Sequence, residues 1–131
     1  MDLAERYTFS ATKIKDGVDF DMGGAIFKLT YYQSSKVQLF ITAELNKLIA
    51  QGIPHAEAVI LAMRAAIVNV VVLGWSNLQE DKVEIPYSME ECERIINTYE
   101  GLDIAIMEKA MEASKFRMEK REETKEKSLQ P

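Results

Sequence analysis

"AEAVILAMRAAIVNVVVL", residues 56 to 73, approaches the length of a membrane span and is apolar on nearly every side. How it is read decides the fold. Glu57, Arg64 and Asn69 interrupt it, and charges in mid-span are costly in hydrocarbon. Met63, Ile67, Val70 and Val71 form one apolar stripe at helical spacing, while Leu61, Ala62, Ala65, Val68 and Val72 cover most of the rest. A helix apolar all round is expected inside other elements. The segment therefore reads as the buried central helix of a soluble molecule, with no membrane span.

The neighbouring segments supply its packing partners. Upstream, Val37, Phe40, Ile41, Glu44, Leu45 and Leu48 keep mostly to i, i+3, i+4 spacing after Ser34-Ser35, with Ser35 as a fair N-cap. Gly52 ends that helix, and Ile53-Pro54 forces a turn. Downstream, the chain breaks at Gly74-Trp75, crosses an acidic loop and restarts at Pro86-Tyr87-Ser88. Ser88 with Glu91 three residues on is a capping box, and Tyr87 with Cys92 is a candidate hydrophobic staple. Met89, Cys92, Ile95, Ile96 and Tyr99 give that helix an inward stripe, closed by Gly101. A last helix is expected from about Leu102 to Arg121.

The N-terminal third has a different period. "YTFSATKIK" partly alternates, Asp16-Gly17 is a hairpin turn signal, and "VDFDM" alternates again before Gly23-Gly24. "AIFKLTYY" can add a third strand. The expected fold is thus mainly α with a short N-terminal β-hairpin or meander (α+β), built as a small bundle of about four helices. It is read as a single domain over residues 1–119, with β segment about 7–30 and helices about 35–119. Residues 120–131, almost all polar, are read as a charged flexible tail.

Composition narrows the function. The chain has 131 residues, 47% hydrophobic and 28% charged, with a net charge of -5. That balance argues against nucleic acid as partner, since phosphate affinity comes from clustered Lys and Arg. Cys92 is the one cysteine, which excludes an internal disulfide and fits a reducing compartment. The start "MDLAERYTFS" lacks the apolar run of a signal peptide. Cytoplasmic residence is expected.

Catalysis finds little footing. His55, the single histidine, sits beside Pro54 at a helix start, where a surface or capping role is the plainer reading. Cys92 lies on an apolar stripe and reads as a small buried hydrophobe. Asp16, Asp19 and Asp21 lack the ligand order of an EF-hand loop and read as turn and outer-face carboxylates. No metal-binding pair or phosphate-cradling glycine loop occurs. No catalytic, metal or cofactor residues are assigned. Met107, Met111 and Met118 repeat near one helical face; unbranched thioethers serve both a flexible core and an adaptable binding face. Trp75 is read as a core anchor or an interface hot spot.

The stretch "LGWSNLQEDKVEIPYSMEECERIINTYEGLDIAIMEKAMEASKFRMEK" resembles the second half of the tail assembly chaperones of long-tailed, lambda-like phages, the lambda-type G protein among them. The shared features fall on Gly74-Trp75, Glu80-Asp81, Pro86-Tyr87-Ser88, Leu102, Phe116 and the run after Lys120. "DGVDFDMGGAIFKLTYY" is similar to the family's opening β segment. Many relatives carry a glycine in the acidic loop, and "QEDKVEIP" has none. The resemblance implies a non-catalytic protein that binds the tape measure protein and keeps it soluble until tail tube protein polymerises around it. It also implies residence in the host cytoplasm, absence from the mature virion, and a frameshifted longer form recruiting the tube protein. A homo-oligomer is expected, with Trp75, Leu102, Ile104, Met107, Met111 and Met118 as partner-binding residues. The alternative is a small dimeric helical adaptor or regulator acting by protein–protein binding; an enzyme with unrecognised carboxylate chemistry is a third reading.

Overall fold

The computed structural model describes residues 1–119; the tail expected at 120–131 lies outside the described residues. Two short helices open the chain. In α1 (Leu3–Tyr7) the Asp2 carboxylate accepts the Ala4 N–H at 3.0 Å, and in α2 (Ala11–Asp16) the Ser10 hydroxyl accepts the Lys13 N–H at 3.2 Å. These caps displace the strand expected over "YTFSATKIK": Asp2 and Ser10 each satisfy an orphan N–H that a strand would have to pair across. Asp16-Gly17 ends α2 and makes no hairpin; Gly17 has φ +84°, and its N–H donates to the Lys13 carbonyl at 2.9 Å. The hairpin follows as β1 (Val18–Met22) and β2 (Ala25–Leu29), turning at Gly23-Gly24. There the Asp21 carboxylate accepts the Gly24 N–H at 2.8 Å.

Next come α3 (Ser35–Ala50) and α4 (His55–Ala66), packed as a helical hairpin. Ala58, Ala62 and Ala66, all fully buried, let α4 lie close to its neighbours. The helix expected to run to Leu73 stops short. Residues Ile67–Val71 widen into one π-helical turn, and at Val72 the backbone becomes extended (φ -80°, ψ 115°) to start β3 (Val72–Ser76). β3 pairs antiparallel with β2, giving the order β1-β2-β3 with Trp75 opposite Phe27. The acidic loop is itself a hairpin, β4 (Gln79–Glu80) with β5 (Val83–Glu84), turned by Asp81 and Lys82 at φ +50° and +67°. Then follow α5 (Met89–Thr98), α6 (Leu102–Ala110) and a 3₁₀ turn at Ala113–Lys115.

The expectation of a small bundle of about four helices is overturned. Among the described residues there are six α-helices and five strands in two sheets, and the third strand of the larger sheet arrives only after the α3–α4 hairpin. The β-branched run Val70-Val71-Val72 explains the miss. Branching at Cβ restricts χ1 in a helix and suits a pleated surface, so the helix loosens into the π turn over Val70 and Val71 and gives way to strand at Val72, where β2 offers hydrogen bonds. The last helix is also shorter than expected, ending at Ala110.

The core gathers Phe20, Phe27, Leu29, Val37, Ile67, Val71, Val72, Ile96, Ile106 and Phe116. Phe116, beyond the last α-helix, is fully buried, its ring tilted against those of Phe20 and Tyr31 at 5.9 and 5.3 Å. It draws the end of the described chain beside the beginning. The Ser10 N–H donates to the Phe116 carbonyl and the Met118 N–H to the Thr8 carbonyl, each at 2.9 Å. Among the described residues no helix is long and apolar enough to cross a membrane.

Gly17 joins α2 to the sheet at close quarters. A Cβ there would lie 2.7 Å from Leu73 Cδ1, 2.8 Å from Lys28 Cγ and 3.2 Å from the Leu29 carbonyl, at a positive φ. Gly17→Ala is expected to lower stability by about 1–3 kcal/mol in urea unfolding, combining left-handed strain with overpacking. Unchanged stability would show that α2 is free to move off the sheet.

Candidate functional site

The break at Gly74-Trp75 is built as a clamp. Trp75 Nε1–H donates to the Ile85 carbonyl at 2.7 Å, and Tyr87 meets the indole edge-on at 4.9 Å. Phe27 lies 5.7 Å away on the strand paired with Trp75, and the Tyr87 hydroxyl donates to the Val72 carbonyl at 3.3 Å. The half-buried indole thus fastens the far end of the acidic hairpin to β3. A buried indole N–H left without a partner offsets part of what burying the ring gains, and the Ile85 carbonyl accepts this one.

A second tie comes from α5. Arg94 donates to both carboxylate oxygens of Glu80 at 3.0 and 3.2 Å and to Glu91 at 2.7 and 2.9 Å. The Tyr99 hydroxyl also donates to Glu80. The α5 start holds one half of the expected capping box: the Ser88 hydroxyl accepts the Glu91 N–H at 3.1 Å, while the Glu91 carboxylate turns to Arg94. The Arg94 hydrogen bonds, then that of Tyr99, hold the Glu80 carboxyl below its ordinary pKa. The same bond raises the Tyr99 phenol.

The six expected partner-binding residues fall into separate places. Leu102, at the first position of α6, is half-buried and borders a small cleft of about 220 Å³ with Leu78, Ile85, Ile95 and Tyr99. That places it on the hairpin side, near the residue that receives the Trp75 hydrogen bond. Ile104 and Met107 lie on α6 and Met111 is its C-cap, spaced i, i+3 and i+7 so that the three share one side of the helix end. Met107 packs partly on the core, whereas Ile104 and Met111 are 42% and 40% exposed. Met118 lies apart, half-buried where the chain runs back beside Thr8.

Arg64 and Asp103 are what the sequence reading passed over. Arg64 Nε–H donates to the Asp103 carboxylate at 3.0 Å, and the other Asp103 oxygen accepts the Ile104 N–H at 2.9 Å. Asp103 is buried and fixes α6 against α4, so it sets how the stripe is presented. A charge in an otherwise greasy helix, with an acid in the first turn of another, was the available signal.

Among the described residues no group of three or more His, Cys, Asp or Glu could hold a metal ion. Burial pushes the Cys92 thiol up to about 12, so at neutral pH it stays protonated and a poor nucleophile. His55 is exposed at the first turn of α4.

Two outcomes follow from the clamp. Trp75→Phe removes the indole hydrogen bond and is expected to cost about 1 kcal/mol, with faster amide exchange at residues 79–85. Exchange rates equal to wild type would show that the clamp does not hold the hairpin. Because the Glu80 pKa is depressed on folding, its contribution is present above the ordinary carboxylate pKa and is lost as pH falls through the depressed value. In an NMR titration Glu80 should protonate below the ordinary glutamate value, and Tyr99→Phe should raise its midpoint.

A family model described as YdaY prophage protein matches residues 30–127. No curated protein and no solved structure gives a match. The matched span covers most of the chain and includes the sheet's third strand, the clamp and α6. The chain belongs to the YdaY prophage protein family and is phage-derived.

Proposed function

We propose that this member of the YdaY family is a tail assembly chaperone that binds the tape measure protein through apolar side chains. It keeps that client soluble and helps recruit tail tube protein, the latter through a frameshifted longer form. The work is done by surfaces, with no catalytic group or cofactor, in the host cytoplasm and outside the mature virion.

The observation that carries the reading is the apolar side of α6 and its C-cap, where Ile104 and Met111 are exposed beside Met107, on a chain of net charge -5. Thioethers adapt to irregular apolar partners, and an excess of acid keeps a coated complex dispersed. The resemblance of residues 73–120 to the tail assembly chaperones and the phage origin of the family point the same way. The Arg64–Asp103 pair supports it further, since a client-binding helix face must be held rigidly.

A second reading, a small dimeric helical adaptor, is favoured by Leu39, 70% exposed on α3, with Val59 and Ile60 exposed on α4. Genome position separates the two. A chaperone gene lies between those for the major tail protein and a very long tape measure protein; an adaptor has no such constraint.

Co-expression tests the first reading. The tape measure protein is expected in the soluble fraction only when this protein is present, and equal solubility without it would end the proposal. Met107→Gln with Met111→Gln is expected to leave the fold intact and weaken client binding about tenfold or more. Unchanged binding would move the site off α6.

A further inference from the structure

A cavity of about 600 Å³ shares no residue with the α6 stripe or the Trp75 clamp. Its floor is Val70, from the π turn, and Leu73, from β3. One wall is the stacked pair Phe9 and Tyr31, with ring centroids 5.0 Å apart. Lys15, from the last turn of α2, and Lys36, from the first turn of α3, stand at its borders. No carboxylate lines it, and neither lysine has an ion-pair partner among the described residues. The Ser34 hydroxyl, at the α3 N-cap and in the cavity lining, is buried and unpartnered among the described residues. The hollow is therefore apolar within and cationic at its edge, on a chain of net charge -5. Its occupant must be apolar with acids beside it.

The same molecule displays such a group. The tip of the β4–β5 hairpin carries Val83, 68% exposed, between the exposed acids Asp81 and Glu84. Lys82 offsets one of the two acids, leaving the tip acidic by one charge against two lysines. The Glu80–Arg94 ion pair and the Trp75 clamp already hold the hairpin in place, so little freedom is lost when the tip docks. Cavity and tip lie toward opposite ends of β3: Leu73, in the cavity lining, is its second residue, and the hairpin starts three residues past Ser76.

We infer that the cavity bounded by Lys15, Lys36, Phe9 and Tyr31 receives the Asp81–Glu84 hairpin tip of a second copy of this chain. The contact is heterologous, since each copy offers one tip and one hollow, and it propagates head to tail into a ring or an open row. Attraction at its edge is coulombic and weakens as salt rises. The inference does not depend on the chaperone reading; a self-assembling adaptor would use the same contact.

Sedimentation velocity on the full chain, at low salt and increasing concentration, tests it with two charge-reversed variants. One carries Lys15→Glu and Lys36→Glu; the other carries Asp81→Asn and Glu84→Lys, asparagine being tolerant of the positive φ at that position. Wild type is expected to gain mass with concentration. Each variant alone should associate at least about tenfold more weakly, with a circular dichroism spectrum and melting midpoint close to wild type. Mixing the two restores association, because each tip then faces a hollow of opposite sign. A wild type that stays monomeric overturns the inference, as does a folded variant that assembles normally. Failure of the mixture to regain mass also overturns it. Should a variant misfold, Val83→Ser supplies the same test: loss of association sustains the contact and full association removes it.

Discussion

Between Ala66 and Val72 the chain passes from helix to strand without leaving the interior, and the rest of the fold is arranged around that passage. Ile67, Val68, Val70 and Val71 are all buried. They touch α3, α5, α6 and β3 from a single π turn. The Thr30 N–H donates to the Val71 carbonyl at 3.0 Å, sealing the turn to the end of β2. A buried carbonyl left without such a donor costs on the order of 1–3 kcal/mol, so the turn and the sheet stabilise each other. Had the helix continued to Leu73, β2 would have kept only β1 as a partner and Trp75 could not have reached Ile85.

The pieces with local causes were legible in the sequence. Ser88 caps α5 as its position suggested, and of the stripe read for α5 Cys92, Ile95 and Ile96 face inward, whereas Met89 and Tyr99 at its two ends are exposed. The Gly23-Gly24 turn and the end of α3 near Gly52 also lie where the residues place them. What escaped had non-local causes. Val70-Val71-Val72 fits a helix by hydrophobicity and a strand by branching; only the presence of β2 decides between them. The first sixteen residues alternate weakly, yet the Asp2 and Ser10 caps favour helices.

The candidate site was legible in its residue types and illegible in its grouping. Periodicity put Ile104, Met107 and Met111 on one stripe; in the structure Ile104 and Met111 are exposed, Met107 packs partly on the core, and Met111 caps the helix. The same periodicity carried Met118 onto that face only by extending a helix that stops at Ala110. Leu102 turns toward the hairpin because the buried Asp103, anchored to Arg64, fixes the rotation of α6. A pairing across 39 positions leaves no trace in either local pattern. Membership of the YdaY prophage family places the whole arrangement in a phage.

The single tryptophan has one more consequence. Its ring is half-shielded, hydrogen-bonded at the nitrogen and flanked by Tyr87, at the joint between two sheets. Indole emission responds to just those surroundings. The molecule therefore carries its own optical gauge of that joint: opening it exposes the ring to water and reddens the fluorescence, with no dye attached.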